Sequence, residues 1–472
     1  MAVNTRELVL DTLLALERGE DFSHRLVKGV LDKYDYLDPR DKAFIKRLTE
    51  GTLERQIELD YHLDRFSRTP VKKMRPLIRC LMRMSVYQLL YMDAVPPSAV
   101  CNEACRLAQK RGFTSLKGFV NGTLRAVSRG RDSLVFPDEA LCPVEHLSVK
   151  YSMPPWLVEL WAEEYGLEIT AKLLRELLAV HPVSLRFSTC LTKQERQEAL
   201  ERMKARGMRL SQSPFLPWIY LAEGAENLGN LPEFAQGLCT VQDVGSALAV
   251  EAARIREGDF VVDVCAAPGG KSILAGERAG GGRVLARDLT EEKRALVQEN
   301  IRRMGALNIE TEVFDGTCTD TGLLGKADVV LLDVPCSGLG VAGKKRDIKY
   351  RVKKQDLEEL MALQRRILRA SAGYVKPGGT LLYSTCTIHR GENQEMVRFL
   401  VRELGFEPLP LGEVLPEAVL ARGRLLEEDL CRAGLASGQG LTEEEKSACL
   451  QLLPGYMEAD GFFMARLRRK DC

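Results

Sequence analysis

The chain has 472 residues, enough for two or three domains that each bury a sizeable core. Its 67 Lys and Arg balance 66 Asp and Glu to a net charge of +1, so the whole-chain charge singles out no partner. No apolar run reaches the ~18 residues of a membrane span, and thirteen cysteines, an odd number with no secretory leader, argue against a disulfide framework and for a reducing, cytoplasmic protein.

Residues 1–132 read as all helical. Asn4-Thr5-Arg6-Glu7 has the form of a capping box, Gly19 closes the helix that follows, and Phe44, Ile45, Leu48, then Leu53, Ile57 and Leu63 recur at helical spacing. The neutral total hides a segregation of charge: Arg65 to Arg131 carries fourteen Lys or Arg against two acids, a local net of +12. Such an excess is the footprint of a nucleic-acid partner. Arg75, Arg79 and Arg83 fall at i, i+4 and i+8, so they are expected to stack on one helical face and meet RNA phosphates; a plain solvated face is the competing reading. The prolines between Phe136 and Pro155 mark a linker over 133–155. Residues 156–235 alternate helix-like stretches with short strands at Val183 to Phe187 and Trp218 to Leu221, a small α/β subdomain. From 236 to 472 apolar strands alternate with amphipathic helices, the pattern of a doubly wound sheet. Within it, 413–446 is acidic and weakly patterned and reads as a surface insertion.

The chemistry lies at the strand ends of this last region. Phe260-Val261-Val262-Asp263-Val264 is a buried-strand run, followed by Ala266-Ala267-Pro268-Gly269-Gly270, a turn small enough for a cofactor to approach the backbone at a helix start. Gly270-Lys271-Ser272 matches the end of a P-loop, but Cys265 occupies the place of its first glycine, and that motif fails. Asp288, nineteen residues past Gly269, ends the next strand, where an acid accepts both hydroxyl hydrogens of a ribose. Asp315 ends a third strand, Asp333 and Cys336 a fourth, and Cys386 follows a fifth, Thr380 to Ser384. Methyltransferases acting on exocyclic nitrogens place an aromatic residue where Cys336 stands, so the thiol points to carbon chemistry. Two thiols beside a nucleoside cofactor suggest covalent catalysis. The other eleven cysteines read as packing residues: none forms Cys-x-x-Cys or a Cys/His cluster at zinc spacing, so no metal is expected.

Asp263-Val264-Cys265-Ala266-Ala267-Pro268-Gly269-Gly270-Lys271, Asp333-Val334-Pro335-Cys336-Ser337-Gly338, Tyr383-Ser384-Thr385-Cys386 and Asp460-Gly461-Phe462-Phe463 together resemble the NOL1/NOP2/Sun family of RNA cytosine-5 methyltransferases. Tyr87-Gln88-Leu89-Leu90-Tyr91, Val95-Pro96 and Gly118-Phe119-Val120-Asn121 resemble the NusB-like domain that accompanies it, so the resemblance spans nearly the whole chain. It implies an all-α NusB-like RNA-binding domain, the small α/β subdomain, and a Rossmann-like class I catalytic domain over 236–472, acting as a monomer. It implies S-adenosylmethionine across Cys265, Ala266, Ala267, Pro268, Gly269, Gly270 and Lys271, with Asp288 on the ribose, Asp315 near the adenine and Asp333 bordering the methionine end. Cys386 is then the nucleophile toward cytosine carbon 6 and Cys336 assists product release. Asp333 holds the N3/N4 edge, and Lys271 steers the base or lowers a neighbouring thiol's pKa. The implied substrate is one cytosine of 16S ribosomal RNA, free or in a partly assembled small subunit, its flanking backbone gripped by the N-terminal cations and by Lys344, Lys345, Lys349 and Arg351. The chain departs from the family at Val244-Gly245, at Gly343 and Arg346, and at Gly455.

Overall fold

The computed structural model describes residues 3–224, 228–435 and 440–471. They form two compact units, residues 1–163 with Ala342–Arg351, and residues 164–341 with 352–472.

The first unit is helical. Its opening helix, Thr5–Glu17, is capped by the Asn4 side chain, which accepts the Glu7 N–H at 3.1 Å. The expected reciprocal half of the box is absent, because the Glu7 carboxylate is bonded to Lys110 and Arg111 at 2.6 and 3.2 Å. Helices Pro39–Glu54, Pro76–Tyr91 and Pro97–Lys110 each begin on a proline, whose missing N–H costs nothing at a first helical position. Leu10, Leu48, Leu59, Leu63, Leu81 and Leu124 are wholly buried among them.

The arginine stripe does not survive folding. Helix Pro76–Tyr91 runs through this core, with Ile78, Cys80, Leu81, Met82 and Met84 all buried, and a helix packed on most sides retains only cations that find acids. Arg79 therefore pairs with Glu17, and Arg83 donates to both Asp60 oxygens at 2.7 and 2.6 Å. Arg75 lies just outside the helix, its guanidinium over the Phe113 ring at 5.8 Å. The expected linker is also part of this unit: Pro143–Tyr151 is a helix packed on helix Gln56–Phe66, and the Ser152 hydroxyl accepts the Ile57 N–H at 2.8 Å.

Ala342–Arg351 returns to the same unit. Arg346, one of the departures from the family, bonds Glu50 at 2.5 Å and Glu54 at 2.8 Å. Asp347 accepts the Ser23 N–H and O–H at 3.1 and 2.5 Å. Lys349, expected on RNA, is 3 % exposed and donates to the Glu54 carbonyl at 2.9 Å. Arg351, expected there too, bonds Asp347 at 2.9 Å and lies over the Phe22 ring. Both cations face the helical core because the segment needs donors for that core's acids and carbonyls; Lys344 and Lys345 remain exposed.

The second unit holds two sheets. Strands β1 (Val183–Phe187), β2 (Arg209–Gln212), β3 (Ile219–Glu223) and β4 (Cys239–Val241) form an antiparallel sheet in the order β2-β3-β1-β4, so the small subdomain reaches past its expected end at 235. The larger sheet contains β5 (Phe260–Asp263), β6 (Arg283–Asp288), β7 (Ile309–Val313), β8 (Ala327–Asp333), β9 (Val375–Thr385), β10 (Phe406–Pro408), β11 (Cys449–Leu452) and β12 (Phe462–Arg469). Its order is β10-β12-β9-β8-β5-β6-β7, with β11 on β12; β5 to β9 are parallel and β12 runs antiparallel to β9. Val261, Val329, Leu331 and Leu382 feed one core, while Val262, Val330, Leu332 and Leu381 feed the other, the period of two that a doubly wound sheet requires. The order reverses at β5, which lies between β6 and β8. That is the switch point where such sheets bind ligands, beyond the carboxyl ends of their strands. The acidic stretch 413–446 is not a surface insertion: helix Glu417–Arg432 buries Val419, Leu426 and Leu430 and packs on β11.

Candidate active site

Beyond β5 the chain turns through Val264 to Gly269 and enters helix Gly270–Ala279. Gly269 has φ +100°, and a Cβ there would meet the Val297 side chain at 3.2 Å. The turn is pinned from outside: the Ala266 N–H donates to the Arg287 carbonyl at 2.8 Å, the Ala267 N–H to Asp288 Oδ2 at 2.9 Å, and Asn300 Nδ2 to the Pro268 carbonyl at 2.9 Å. Ala267-Pro268 is a cis peptide. Asp288 also accepts the Leu289 N–H at 2.8 Å and the Lys293 ammonium at 2.9 Å. A carboxylate offers about four acceptor positions, so Asp288 is oriented by three donors and keeps capacity for a hydroxyl. Asp315 follows β7 exposed, held below the usual carboxylate range by the Thr317 N–H and hydroxyl. Asp263 is buried; burial raises its pKa to about 7, its Oδ2 accepts the Ser272 hydroxyl at 2.6 Å, and its Oδ1 has no partner among the described residues.

The reactive end lies beyond β8 and β9. Lys271 Nζ donates to Asp333 Oδ2 at 2.7 Å, and the Ser384 hydroxyl to Asp333 Oδ1 at 2.8 Å. Burial works against the Lys271 ammonium, but Asp333, then Asp263 and Cys386, outweigh it and raise its pKa, so the lysine stays charged. The two thiols, fifty residues apart in sequence, meet with Cys336 Sγ 3.4 Å from Cys386 Sγ. Its hydrogen bond to Cys386 first, then burial, push the Cys336 thiol well up. Cys265, closed in beside Asp288, Asp263 and Asp333, is likewise pushed up by burial and remains a neutral thiol.

What aligns the thiols is a buried network invisible in the motifs. Glu392 is fully buried and accepts the Ser337 N–H at 2.8 Å, the Ser337 hydroxyl at 2.5 Å and Gln364 Nε2 at 3.0 Å. Ser337 Oγ also lies 2.8 Å from Thr387 Oγ1, which ties the residue after Cys336 to the residue after Cys386. Asn393 Nδ2 donates to the Thr387 carbonyl at 3.1 Å, and its Oδ1 accepts the Thr385 hydroxyl at 2.6 Å. The Gly340 N–H donates to the Cys386 carbonyl at 3.1 Å, and a Cβ on Gly340 would lie 2.2 Å from the Gly461 carbonyl oxygen, so the backbone at these two glycines approaches closely. Gly245, another departure, lies under Phe462: a Cβ there would be 2.9 Å from the Phe462 Cβ. The Phe462 ring centre is 5.4 Å from Lys271 Nζ.

Residues 250–468 match the family described as 16S rRNA methyltransferase RsmB/F, and residues 3–129 match the NusB family. A probable ribosomal RNA small subunit methyltransferase B of Bacillus subtilis is 35% identical over 476 residues, covering 99% of each chain. The chain belongs to the ribosomal RNA small subunit methyltransferase B family. Its relative in Cronobacter sakazakii is 30% identical, again over 99% of both chains. Among solved structures, PH0851 shares the fold at a TM-score of 0.77 and 23% identity, over 99% of this chain and all of the other. NSun6 from Pyrococcus horikoshii with SFG shares it at a TM-score of 0.55 and 20% identity, covering 68% of this chain and 99% of the other. Methyltransferase B proteins use S-adenosylmethionine, and the residues present fit it: a carboxylate, Asp288, with free acceptor capacity at the end of the strand after the turn, at the switch point of the sheet.

Proposed function

We propose that the chain methylates carbon 5 of a cytosine in 16S ribosomal RNA through a covalent adduct with Cys386. The observation that carries this reading is the pair of thiols, 3.4 Å apart, beside the Lys271–Asp333 pair at the switch point of the sheet. Carbon 5 of cytosine is too weakly nucleophilic to accept a methyl group unaided. The Cys386 thiolate adds to carbon 6, and the electron pair of the C5–C6 double bond is released toward carbon 5, so that one high barrier becomes two lower ones. Asp333 accepts the N4 amino hydrogen, and the charged Lys271 beside it offsets the negative charge that develops on the ring. When bound, S-adenosylmethionine would supply the electrophilic methyl group for carbon 5, with its sulfur as the leaving group. Asp288, Asp315 and the turn from Cys265 to Lys271 are the residues that would hold it.

Release is the step proposed for Cys336, whose sulfur lies 3.4 Å from that of Cys386. The largest cause of its raised pKa is Cys386. Once Cys386 is a neutral thioether that cause is gone, while burial, Glu392 and Asp333 still favour the Cys336 thiol, so Cys336 passes its proton to water only transiently before it acts as the base. It then removes the carbon 5 proton; those electrons restore the double bond as the bond from carbon 6 to Cys386 breaks.

The test compares the two thiol variants. Cys386→Ala is expected to abolish methylation and every adduct. Cys336→Ala is expected to add and methylate once and then stall, leaving a denaturation-resistant enzyme–RNA complex on a gel when the donor is supplied. A trapped complex with Cys386→Ala in its place reverses the roles, and bisulfite sequencing of small-subunit RNA from a deletion strain that finds no lost 5-methylcytosine removes the substrate.

A further inference from the structure

Arg65 and Arg68 aside, folding sorts the fourteen cations of the +12 segment into two populations. Arg79, Arg83, Arg106, Lys110, Arg111 and Arg131 are bonded to acids of their own unit. Lys72, Lys73, Arg75, Lys117, Arg125 and Arg129 are exposed and form no ion pair among the described residues.

The second group is contiguous. Helix Lys117–Gly130 buries Val120, Thr123, Leu124 and Val127 and leaves Lys117, Asn121, Arg125 and Arg129 in an unbroken i, i+4 row on its outer side. The row spans about 18 Å, twelve residues at the helical rise. The chain from Phe66 to Arg75 runs antiparallel beside it: Phe66 lies where a Cβ on Gly130 would be, 2.5 Å away, and Arg75 lies over Phe113, just before the helix begins. Lys72 and Lys73 lie on this stretch, between Phe66 and Arg75. Asp132, three residues past Arg129, is the acid nearest this strip in sequence, and Asp64, which accepts the Val71 N–H at 2.6 Å, is the next.

Two glycines on the same side point to an external ligand. Gly118 and Gly122 stand inside the helix, each disfavoured by about 1 kcal/mol against alanine. A Cβ at either would meet nothing within 4 Å, so internal packing does not account for them. Their absent side chains leave the backbone between the cations open to close approach.

We infer that this strip, formed by the outer row of helix Lys117–Gly130 and the neighbouring Lys72, Lys73 and Arg75, is the surface on which the RNA sugar–phosphate backbone docks. The inference rests on the reading of RNA as substrate. It takes the place of the expected Arg75, Arg79 and Arg83 stripe, of which Arg75 alone belongs to the strip. Cations without acid partners release counterions when they meet phosphates, whereas cations already bonded to carboxylates have to break those bonds first.

The experiment uses the full chain and transcribed 16S ribosomal RNA. Lys72→Gln, Lys73→Gln, Lys117→Gln and Arg125→Gln are combined, against a control of equal charge change, Lys28→Gln, Lys33→Gln, Arg40→Gln and Lys46→Gln, where Asp32, Asp35, Asp38 and Asp41 intersperse the cations. With about 0.7–0.9 counterions released per phosphate contact, the strip variant is expected to flatten the slope of log affinity against log salt by about 3. Affinity at 0.15 M salt is expected to fall at least tenfold, with donor affinity and the methylation rate at saturating RNA unchanged. The control is expected to stay within one unit of the wild-type slope. A wild-type slope in the strip variant, or an equal loss in the control, overturns the docking surface while leaving methylation by the wild type intact. Wild-type protein that neither binds nor methylates the RNA overturns the substrate reading, and the surface with it.

Discussion

Glu392 shows how much of this site depends on a residue that touches neither cofactor nor base. Its carboxylate is fully buried, and its hydrogen-bond donors are the Ser337 N–H and hydroxyl and the Gln364 amide. A buried carboxylate satisfied by such donors fixes direction strongly, because each lost bond leaves an acceptor stranded. Here the direction fixed is that of the backbone behind both thiols. Glu392→Gln preserves the shape but presents an amide N–H to donors that need an acceptor, which is expected to cost about 2–3 kcal/mol in unfolding free energy. It is expected to lower kcat while leaving RNA and donor affinity in place. A purely structural role predicts no more than this. A positioning role adds that Cys336, whose pKa the Glu392 charge helps to raise, reacts with an alkylating agent at lower pH in the variant; an unchanged pH profile for Cys336 would remove Glu392 from the control of the thiols.

At the scale of elements, the loop after Cys386 is held by a titrating pair. His389 Nδ1 lies 2.8 Å from Glu164 Oε1, which also accepts the Arg390 N–H at 3.1 Å. Burial acts to lower the His389 pKa, but the Glu164 bond and charge overcome it and the net shift is upward. A histidine raised by folding stabilises fully below its unfolded value of about 6.5, and the contribution fades as pH rises through the folded value. Wild-type Tm is thus expected to decline from about pH 6.5 upward, and His389→Gln to flatten that limb; parallel Tm curves for the two proteins would exclude the pair as the cause. The strands and turns of the catalytic sheet were legible because a parallel strand buried on both faces leaves an apolar run, and a cofactor turn leaves small residues after it: Phe260 to Asp263 lies where its pattern placed it, and so does the antiparallel Val183 to Phe187 of the small sheet. The fates of Arg79, Arg83 and Lys349 were not legible. An i, i+4 row of cations reads the same on a surface helix as on a helix at the centre of a bundle, and the acids that decide between them, Glu17, Asp60 and the carbonyl-bearing Glu54 turn, are distant in sequence. Glu392 was hidden for the same reason. The acidic stretch 413–446 misled because helix Glu417–Arg432 needs only Val419, Leu426 and Leu430 to dock, too sparse an apolar face to stand out.

Across the whole molecule, the chain enters the first unit a second time: Ala342–Arg351 belongs with residues 1–163, although both flanking segments belong to the catalytic sheet. The domains are therefore not beads in sequence order, and a cut near 163 does not yield an independent catalytic half. In such a fragment the sheet from β5 to β12 is complete, so the donor site is expected to persist. The returning segment, however, loses what satisfies it: Arg346 its Glu50 and Glu54, Asp347 its Ser23 donors, Lys349 the Glu54 carbonyl, and Tyr350 the helical core it packs against. Burial depresses the Lys349 pKa to about 7, so this side chain in particular gains by moving into water once the core is removed. Limited trypsin digestion of a chain starting at residue 164 is expected to cut rapidly after Arg346, Lys349 and Arg351. The intact protein is expected to be protected at those three bonds while remaining open to cleavage at the exposed Lys344 and Lys345. Calorimetry on the fragment is expected to give near-wild-type affinity for S-adenosylmethionine. Equal cleavage rates after Lys349 in both proteins would show that the segment does not depend on the first unit, and lost donor binding in the fragment would show that the sheet does.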